Sequence, residues 1–379
     1  MRVFDQLAIG VLSIYLTYYC RKHYSTTSTD VLLLLRDRFL STFYPAAGAA
    51  TTTIANNPAT STVTTSTLFE APTDQVIYVP EVMLSARKIV KAFEAIEQAE
   101  GAGARVRRSV GTPKLKNFSP FLMLDHFTIG DGAGFPDHPH RGQETITYLL
   151  AGSIDHEDFA GNAGTIHAGD LQFMTAGRGI MHAEMPGVSG DGSLIVGLQL
   201  WVDLPTELKF CEPRYRDLRA EEIPHAKTDD EKVYIKIISG TSHGVDSVRD
   251  LAYTPVWILD VTIKPGGKLT QPLPVGWNAF VYMLAGNVVI EEQKVKQFYN
   301  VVFAQEGDGV EVRVEESETE EARFIIVAGK PLDQPVVQHG PFVLNTNEQV
   351  HQAMMDFRGH KNGFERAKGW RSEIGKRMD

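Results

Sequence analysis

Between Ser85 and Gly329 apolar and polar positions alternate in short runs, and nearly every run is stopped by Gly, Pro or Asp. A period of two with frequent turn residues predicts strands, so the fold class is all-β. Segments 164–173, 193–202, 233–238, 256–263, 279–284, 287–290 and 324–327 are the clearest strands. A charged stretch between Pro213 and Lys232, from Arg219 to His225 and then Asp229-Asp230-Glu231, divides them into two sets. The second set repeats the rhythm of the first: strand, turn at Gly286, strand, and a late strand ending at Gly329. This predicts a duplicated barrel, with an N-terminal domain over 83–222 and a C-terminal domain over 223–335. A tail over 336–379 carries helical patterns from Gln349 to Phe357 and from Phe364 to Ile374, and is expected to pack back on the barrels.

The first 82 residues follow another pattern. Leu7 to Cys20 is an apolar run, shorter than the ~20 residues a bilayer span needs, and Arg21-Lys22-His23 follows it. No charge occurs from Phe39 to Phe69, where Thr, Ala and Ser dominate. Such composition buries too little apolar area to fold. A targeting sequence, a weak signal anchor and a translation start near Met83 all fit this segment.

Composition narrows the function classes. The chain has 379 residues and a formal net charge of -10. An acidic balance argues against direct nucleic-acid binding, which needs a basic stripe to displace counterions. Two cysteines, Cys20 and Cys211, cannot form a disulfide framework, so the folded part is expected to be intracellular.

The chemistry is concentrated in His138-Pro139-His140 and His182-Ala183-Glu184. In a strand, side chains two apart share a face. Each run therefore offers a two-atom clamp, and two clamps on facing strands make a pocket of three imidazoles and one carboxylate. Nitrogen and oxygen donors without thiolate suit iron, manganese, nickel, copper or zinc. Beyond His140, the even positions Glu144, Ile146, Tyr148 and Leu150 are read onto the histidine face, and Thr145 and Thr147 onto the other. Glu144 can be a ligand, a partner of a ligand or a salt-bridge residue; it is placed outside the ligand set because Glu184 already supplies a carboxylate.

Several runs then point to a family. Asp137 to Gly142, His156-Glu157-Asp158-Phe159, Met174 to Gly179, His182 to Pro186, Gly101 to Arg108, Gln199-Leu200-Trp201, Gln338 to Phe342 and Asn362 to Ala367 together resemble pirin, a family of the cupin superfamily. The resemblance covers nearly everything from Met83 onward. It implies a bicupin, two jelly-roll β-barrels with a C-terminal helical segment, and one Fe(II) in the N-terminal barrel. The family's metal ligands fall on His138, His140, His182 and Glu184. It also implies a nuclear and cytoplasmic protein, expected to be a monomer. Gln143 departs from the family, which often has an aromatic or apolar residue there, so a more polar outer pocket is expected.

Two function classes follow from the resemblance. One is an Fe(II) dioxygenase of the quercetin 2,3-dioxygenase type, taking dioxygen and a flavonol-like small molecule. In it the 3-hydroxyl oxygen binds the iron, Glu184 is ligand and catalytic base, and the ring is cleaved to carbon monoxide and a depside. The other is a non-enzymatic, iron-dependent redox-sensing co-regulator that binds a transcription factor. A structural zinc or nickel site is the third reading. An open, mostly apolar pocket favours catalysis, and a sealed mouth with a charged rim favours sensing. Phe135, Phe173, Met174 and Trp201 are the candidate apolar walls. Arg178 is a candidate for orienting an anionic substrate or steadying Glu184. His126, His156 and His167 lack paired spacing, and His156 is read as structural or as a support for the ligands. Arg105, Arg107 and Arg108 are read as a solvated turn with salt-bridge partners, and Gly101-x-Gly103 lacks the glycine spacing of a dinucleotide loop.

Overall fold

The computed structural model describes residues 84–130, 132–187, 194–228 and 231–378. The expectations for the first 82 residues therefore lie outside the described residues. Among the described residues, no helix is long and apolar enough to cross a membrane.

Each barrel is a seven-stranded sheet packed on a four-stranded one. In the first, the large sheet runs in the order Arg214–Leu218, Leu171–Thr175, Gln143–Ala151, Ile195–Asp203, Phe121–Ile129, Ala104–Val110 and Glu97–Glu100. Its small sheet is Phe135–His140, Ile180–Pro186, Ser153–Asp158 and Ala163–His167. The second barrel repeats this around Asn278–Ala285 and Ala322–Gly329, with Lys268–Pro272, Gly309–Arg313, Val288–Ile290 and Gln293–Val295 as its small sheet. Barrel membership and sequence order part at one place. The strand Ile89–Glu94 pairs with Tyr299–Phe303 and so belongs to the second barrel, although a boundary at residue 83 assigns it to the first.

The two large sheets stand back to back. Ile146, Tyr148, Phe173, Leu198 and Leu200 share one buried cluster with Val256, Ile258, Phe280, Tyr282 and Ile325. Both faces of these strands are thus covered. Alternation then separates two kinds of burial, as along Asn278–Ala285: Ala279, Val281 and Met283 point into their own barrel, and Phe280, Tyr282 and Leu284 into the joint. In the second barrel the small sheet contributes Leu269, Val310 and Val312 to an apolar core, where the first barrel has its histidines. Gln271, on the same strand as Leu269, is buried and spends its amide on Ser242, Thr241 and Pro272.

The tail packs on the first barrel. Helix Asn347–Gly359 starts at a capping box, with Thr346 Oγ1 accepting from Gln349 N and Gln349 Oε1 accepting from Thr346 N, both at 3.2 Å. A hairpin, Val337–His339 with Phe342–Leu344, precedes it. The stretch expected to be a second helix is not one. Phe364 to Ile374 holds a single 3-10 turn, Glu365–Ala367, and otherwise follows the barrel surface. Its apolar residues serve two separate contacts rather than one helix stripe: Phe364 and Ala367 enter the cluster around the helix, and Ile374 packs with Ala183 and Met185.

Candidate metal centre

His138 and His140 end the strand Phe135–His140, and His182 and Glu184 lie in the neighbouring antiparallel strand Ile180–Pro186. The register sets His182 opposite His138 and Ile180 opposite His140, with an irregularity between His182 and Glu184. The clamps therefore sit on adjacent strands of one sheet rather than on opposed ribbons. They still converge: one ligand nitrogen from each of His138, His140 and His182 lies within 4.8 Å of the others. The Nε2 atoms of His138 and His182 are 2.9 Å apart. Two nitrogens bound at right angles, each about 2.1 Å from an ion, would be about 3 Å apart.

Protonation fits a metal as well. Burial pulls all three imidazoles below the ordinary histidine range, so they are neutral and have lone pairs to give. His138 Nδ1 donates to Pro136 O at 2.8 Å, which leaves its Nε2 bare. His140 Nε2 and His182 Nδ1 are buried without a hydrogen-bond partner. A buried polar atom left alone is costly, and an ion at the convergence point removes that cost at His140. The donor set fits a divalent transition metal.

Glu184 stands just outside the group of three. Its Oε1 accepts from Thr147 Oγ1 at 3.2 Å and its Oε2 from Gln199 Nε2 at 3.2 Å. Burial raises its pKa to about 7, against the opposing pull of those two hydrogen bonds. The same carboxylate lines the cavity in front of His138 and His140. The cavity holds about 580 Å³, and Val106, Met123, Phe127, Phe135 and Trp201 supply its apolar walls. Trp201 meets His140 edge-on, with ring centroids 5.1 Å apart. Gln338, Gly340 and Pro341 of the tail hairpin close one side. At the wall, Arg108 donates to both oxygens of Asp125, at 2.8 and 2.7 Å, and to Glu100 at 2.7 Å.

Several sequence expectations change here. The face assignment beyond His140 is reversed. At Arg141-Gly142 the chain turns out of the small sheet into the large one, with Gly142 at φ +78° and so close to the tail that a Cβ would lie 2.1 Å from Val343 O. Parity does not survive that corner. Thr147 reaches Glu184, whereas Ile146 and Tyr148 point into the joint between barrels. Glu144 serves the same joint, accepting from Tyr253 N and Thr254 N at 3.0 Å and from Thr175 Oγ1 at 2.8 Å.

Of the four expected walls, Phe135 and Trp201 line the cavity. Phe173 belongs to the joint, and Met174 packs with Ala176 and Ile180. Arg178 has no part in the site: its Nε pairs with Glu212 at 3.2 Å and its carbonyl accepts from Arg141. Arg105, Arg107 and Arg108 form a strand, not a turn. Arg105 and Arg107 pair with Glu97, as expected of salt-bridge residues. His126 lies against Tyr282 across the joint, and His167 is exposed beside a turn. His156 is buried on the strand next to Glu184, stacked with Tyr215. From the sequence, Thr147 and Gln199 have no expected role at the site; the signal is their alternation with apolar neighbours inside strands.

Two β-barrels back to back, with a three-histidine pocket at the mouth of the first, define a two-domain cupin able to hold a metal ion. Residues 103–202 match the family model for Pirin, and residues 258–363 that for the Pirin C-terminal cupin domain. The chain belongs to the pirin family. Pirin of Homo sapiens is 49% identical over 298 residues, spanning 77% of this chain and 100% of its own. A pirin-like protein of Solanum lycopersicum is 45% identical over 289 residues, spanning 76% and 97%. Among solved structures, quercetin 2,3-dioxygenase from Acinetobacter baumannii superposes with a TM-score of 0.68 at 29% identity, covering 74% of this chain and 99% of that one. GK1651 from Geobacillus kaustophilus gives 0.60 at 32% identity, covering 67% and 100%.

Proposed function

We propose that the chain is an iron-dependent dioxygenase that opens the ring of a flavonol-like substrate, with His138, His140, His182 and Glu184 as the residues that would hold Fe(II). The observation that carries this reading is the cavity: it opens directly onto His138 and His140, and Val106, Met123, Phe127, Phe135 and Trp201 make most of its exposed wall apolar. A cavity of that volume with apolar and aromatic walls suits a small aromatic ligand. The structural likeness to a quercetin 2,3-dioxygenase supports the same substrate class. Bound iron would supply a Lewis-acidic centre that orients and polarises the flavonol and dioxygen.

The protein's own groups do the rest. Glu184 is the group placed to take a proton from the substrate hydroxyl: burial alone raises its carboxyl to about 7, and a bound cation would lower it and keep it ionised, ready to accept. Thr147 and Gln199 aim its two oxygens and stabilise the charged form. Phe127, Phe135 and Trp201 exclude water from the ring, and Glu100, which also lines the cavity, offers an acceptor to its hydroxyls. An iron-dependent regulator that binds a transcription factor would be favoured by a sealed mouth, and the open cavity favours catalysis instead.

The test is anaerobic loading with Fe(II), addition of quercetin, then oxygen, with carbon monoxide and the depside as readouts. Stoichiometric carbon monoxide supports the reading. A fully loaded protein inert across a flavonol series contradicts it.

A further inference from the structure

The hydrogen bond behind His140 has an unusual partner. Gln143 is fully buried, and its carboxamide lies 2.8 Å from His140 Nδ1. The residue does not line the cavity. It directly follows the Gly142 corner and opens the strand Gln143–Ala151, with its backbone carbonyl accepting from Ala176 N at 2.9 Å. Its position is thus fixed by the large sheet, while the ring it touches belongs to the small one.

A carboxamide can serve either tautomer of an imidazole. With nitrogen toward the ring, Gln143 donates to Nδ1 and the ring proton sits on Nε2. In that arrangement His140 Nε2 carries its hydrogen in a buried position without a partner. With the amide turned over, Oε1 accepts from Nδ1–H and Nε2 presents its lone pair toward His138 and His182. No proton enters or leaves; one hydrogen moves between the two ring nitrogens. The backbone carbonyl that serves His138 allows a single tautomer, whereas the amide can follow the ring.

We propose that Gln143 is a positioning residue for His140: it holds the ring by its Nδ1 edge and, by presenting its oxygen, selects the tautomer whose Nε2 can bind a metal. The proposal rests on the metal reading above and adds to it a residue that touches neither metal nor substrate. A hydrogen-bond acceptor on the far nitrogen of a ligating histidine typically changes metal affinity by about 10- to 100-fold.

Gln143→Met keeps the length and nearly the volume of the side chain and removes the acceptor; Gln143→Glu restores one. Dissociation constants for Zn(II) and, anaerobically, Fe(II) are measured by competition with a chromophoric chelator, after the melting temperature of each metal-free variant confirms folding. Gln143→Met is expected to bind both ions about 10- to 100-fold more weakly, and Gln143→Glu to recover most of that loss. In the Zn(II)-loaded wild type and Gln143→Glu, the His140 Nδ1 proton is expected as a slowly exchanging NMR signal, absent from Gln143→Met. Unchanged affinity in Gln143→Met, or a Gln143→Glu variant as weak as Gln143→Met, overturns the proposal. His140→Ala separates the two readings: if it binds metal as the wild type does, the metal reading falls and takes this proposal with it.

Discussion

Tyr148 Oη donates to Asp260 Oδ2 at 2.6 Å, and the two residues belong to different barrels. Arg323 completes the group, donating to both Asp260 oxygens at 3.0 and 2.7 Å. Asp260 is 3% exposed, so these donors take the place of water on its two oxygens. Tyr148→Phe removes one donor and leaves the ion pair. It is expected to cost about 1–2 kcal/mol in urea unfolding, with a single transition for both barrels because the joint is a continuous apolar cluster. Two separated transitions in the wild type would contradict that coupling.

The tail is tied to the strand Phe135–His140 through Arg141, which neighbours His140. Its guanidinium is buried between Asp356 at 2.9 Å, Asn362 O at 2.6 Å and Arg178 O at 2.6 Å, with Phe364 packed on its face. Asp356→Ala leaves a buried cation without its counter-charge, a change worth about 3–5 kcal/mol. The variant is expected to expose the tail to proteolysis and to weaken metal binding at the same time. Release of the tail with full metal affinity would show that the corner at Arg141 is held by the barrel alone.

Metal uptake carries a defined proton count. In the metal-free protein Glu184 keeps its proton up to about pH 7, while the imidazoles are already neutral. Below pH 7 binding is expected to release one proton per site, falling toward none as the pH rises past 8. Calorimetry in buffers of different ionisation enthalpy reads this directly, and Glu184→Gln abolishes it. The same shift sets a stability trend. The folded pKa lies above the ordinary 4.5, so the folded state holds a proton that the unfolded state loses. The contribution is present below about pH 4.5 and is lost as pH rises through 7.

Glu100, Arg108 and Asp125 meet at the cavity wall, two carboxyl groups to one guanidinium. Flavonols whose outer ring bears hydroxyls are expected to bind more tightly than an analogue without them, by about fivefold for one added hydrogen bond of ~1 kcal/mol. Glu100→Gln narrows the gap. Anaerobic calorimetry on Zn(II)-loaded protein measures it without turnover; equal affinities would remove these residues from substrate recognition.

How much of this was legible in the sequence depended on how far a residue lies from a corner. The histidine pairs were readable because alternation holds within each short strand. Glu144 to Leu150 were placed on the wrong face because Gly142 turns the chain from one sheet to the other, and no period crosses such a turn. The walls divide for a related reason. Phe173 lies on a strand buried on both faces, where apolar character does not say which side is cavity and which is joint. Thr147, Gln199 and Asp125 come from three strands of one sheet and meet only across its ladder. The missing second helix reflects the same limit: Phe364 and Ile374 carry apolar spacing because each fills a different hollow.

Iron content is the most direct measure of the central claim that three imidazoles share a single ion. The wild type, His138→Ala, His140→Ala and His182→Ala are loaded anaerobically, desalted and assayed by elemental analysis. The expected result is one iron per wild-type chain, with loss of nearly all of it in each single variant whose fold is intact. Stoichiometric iron retained by any of the three would contradict the account.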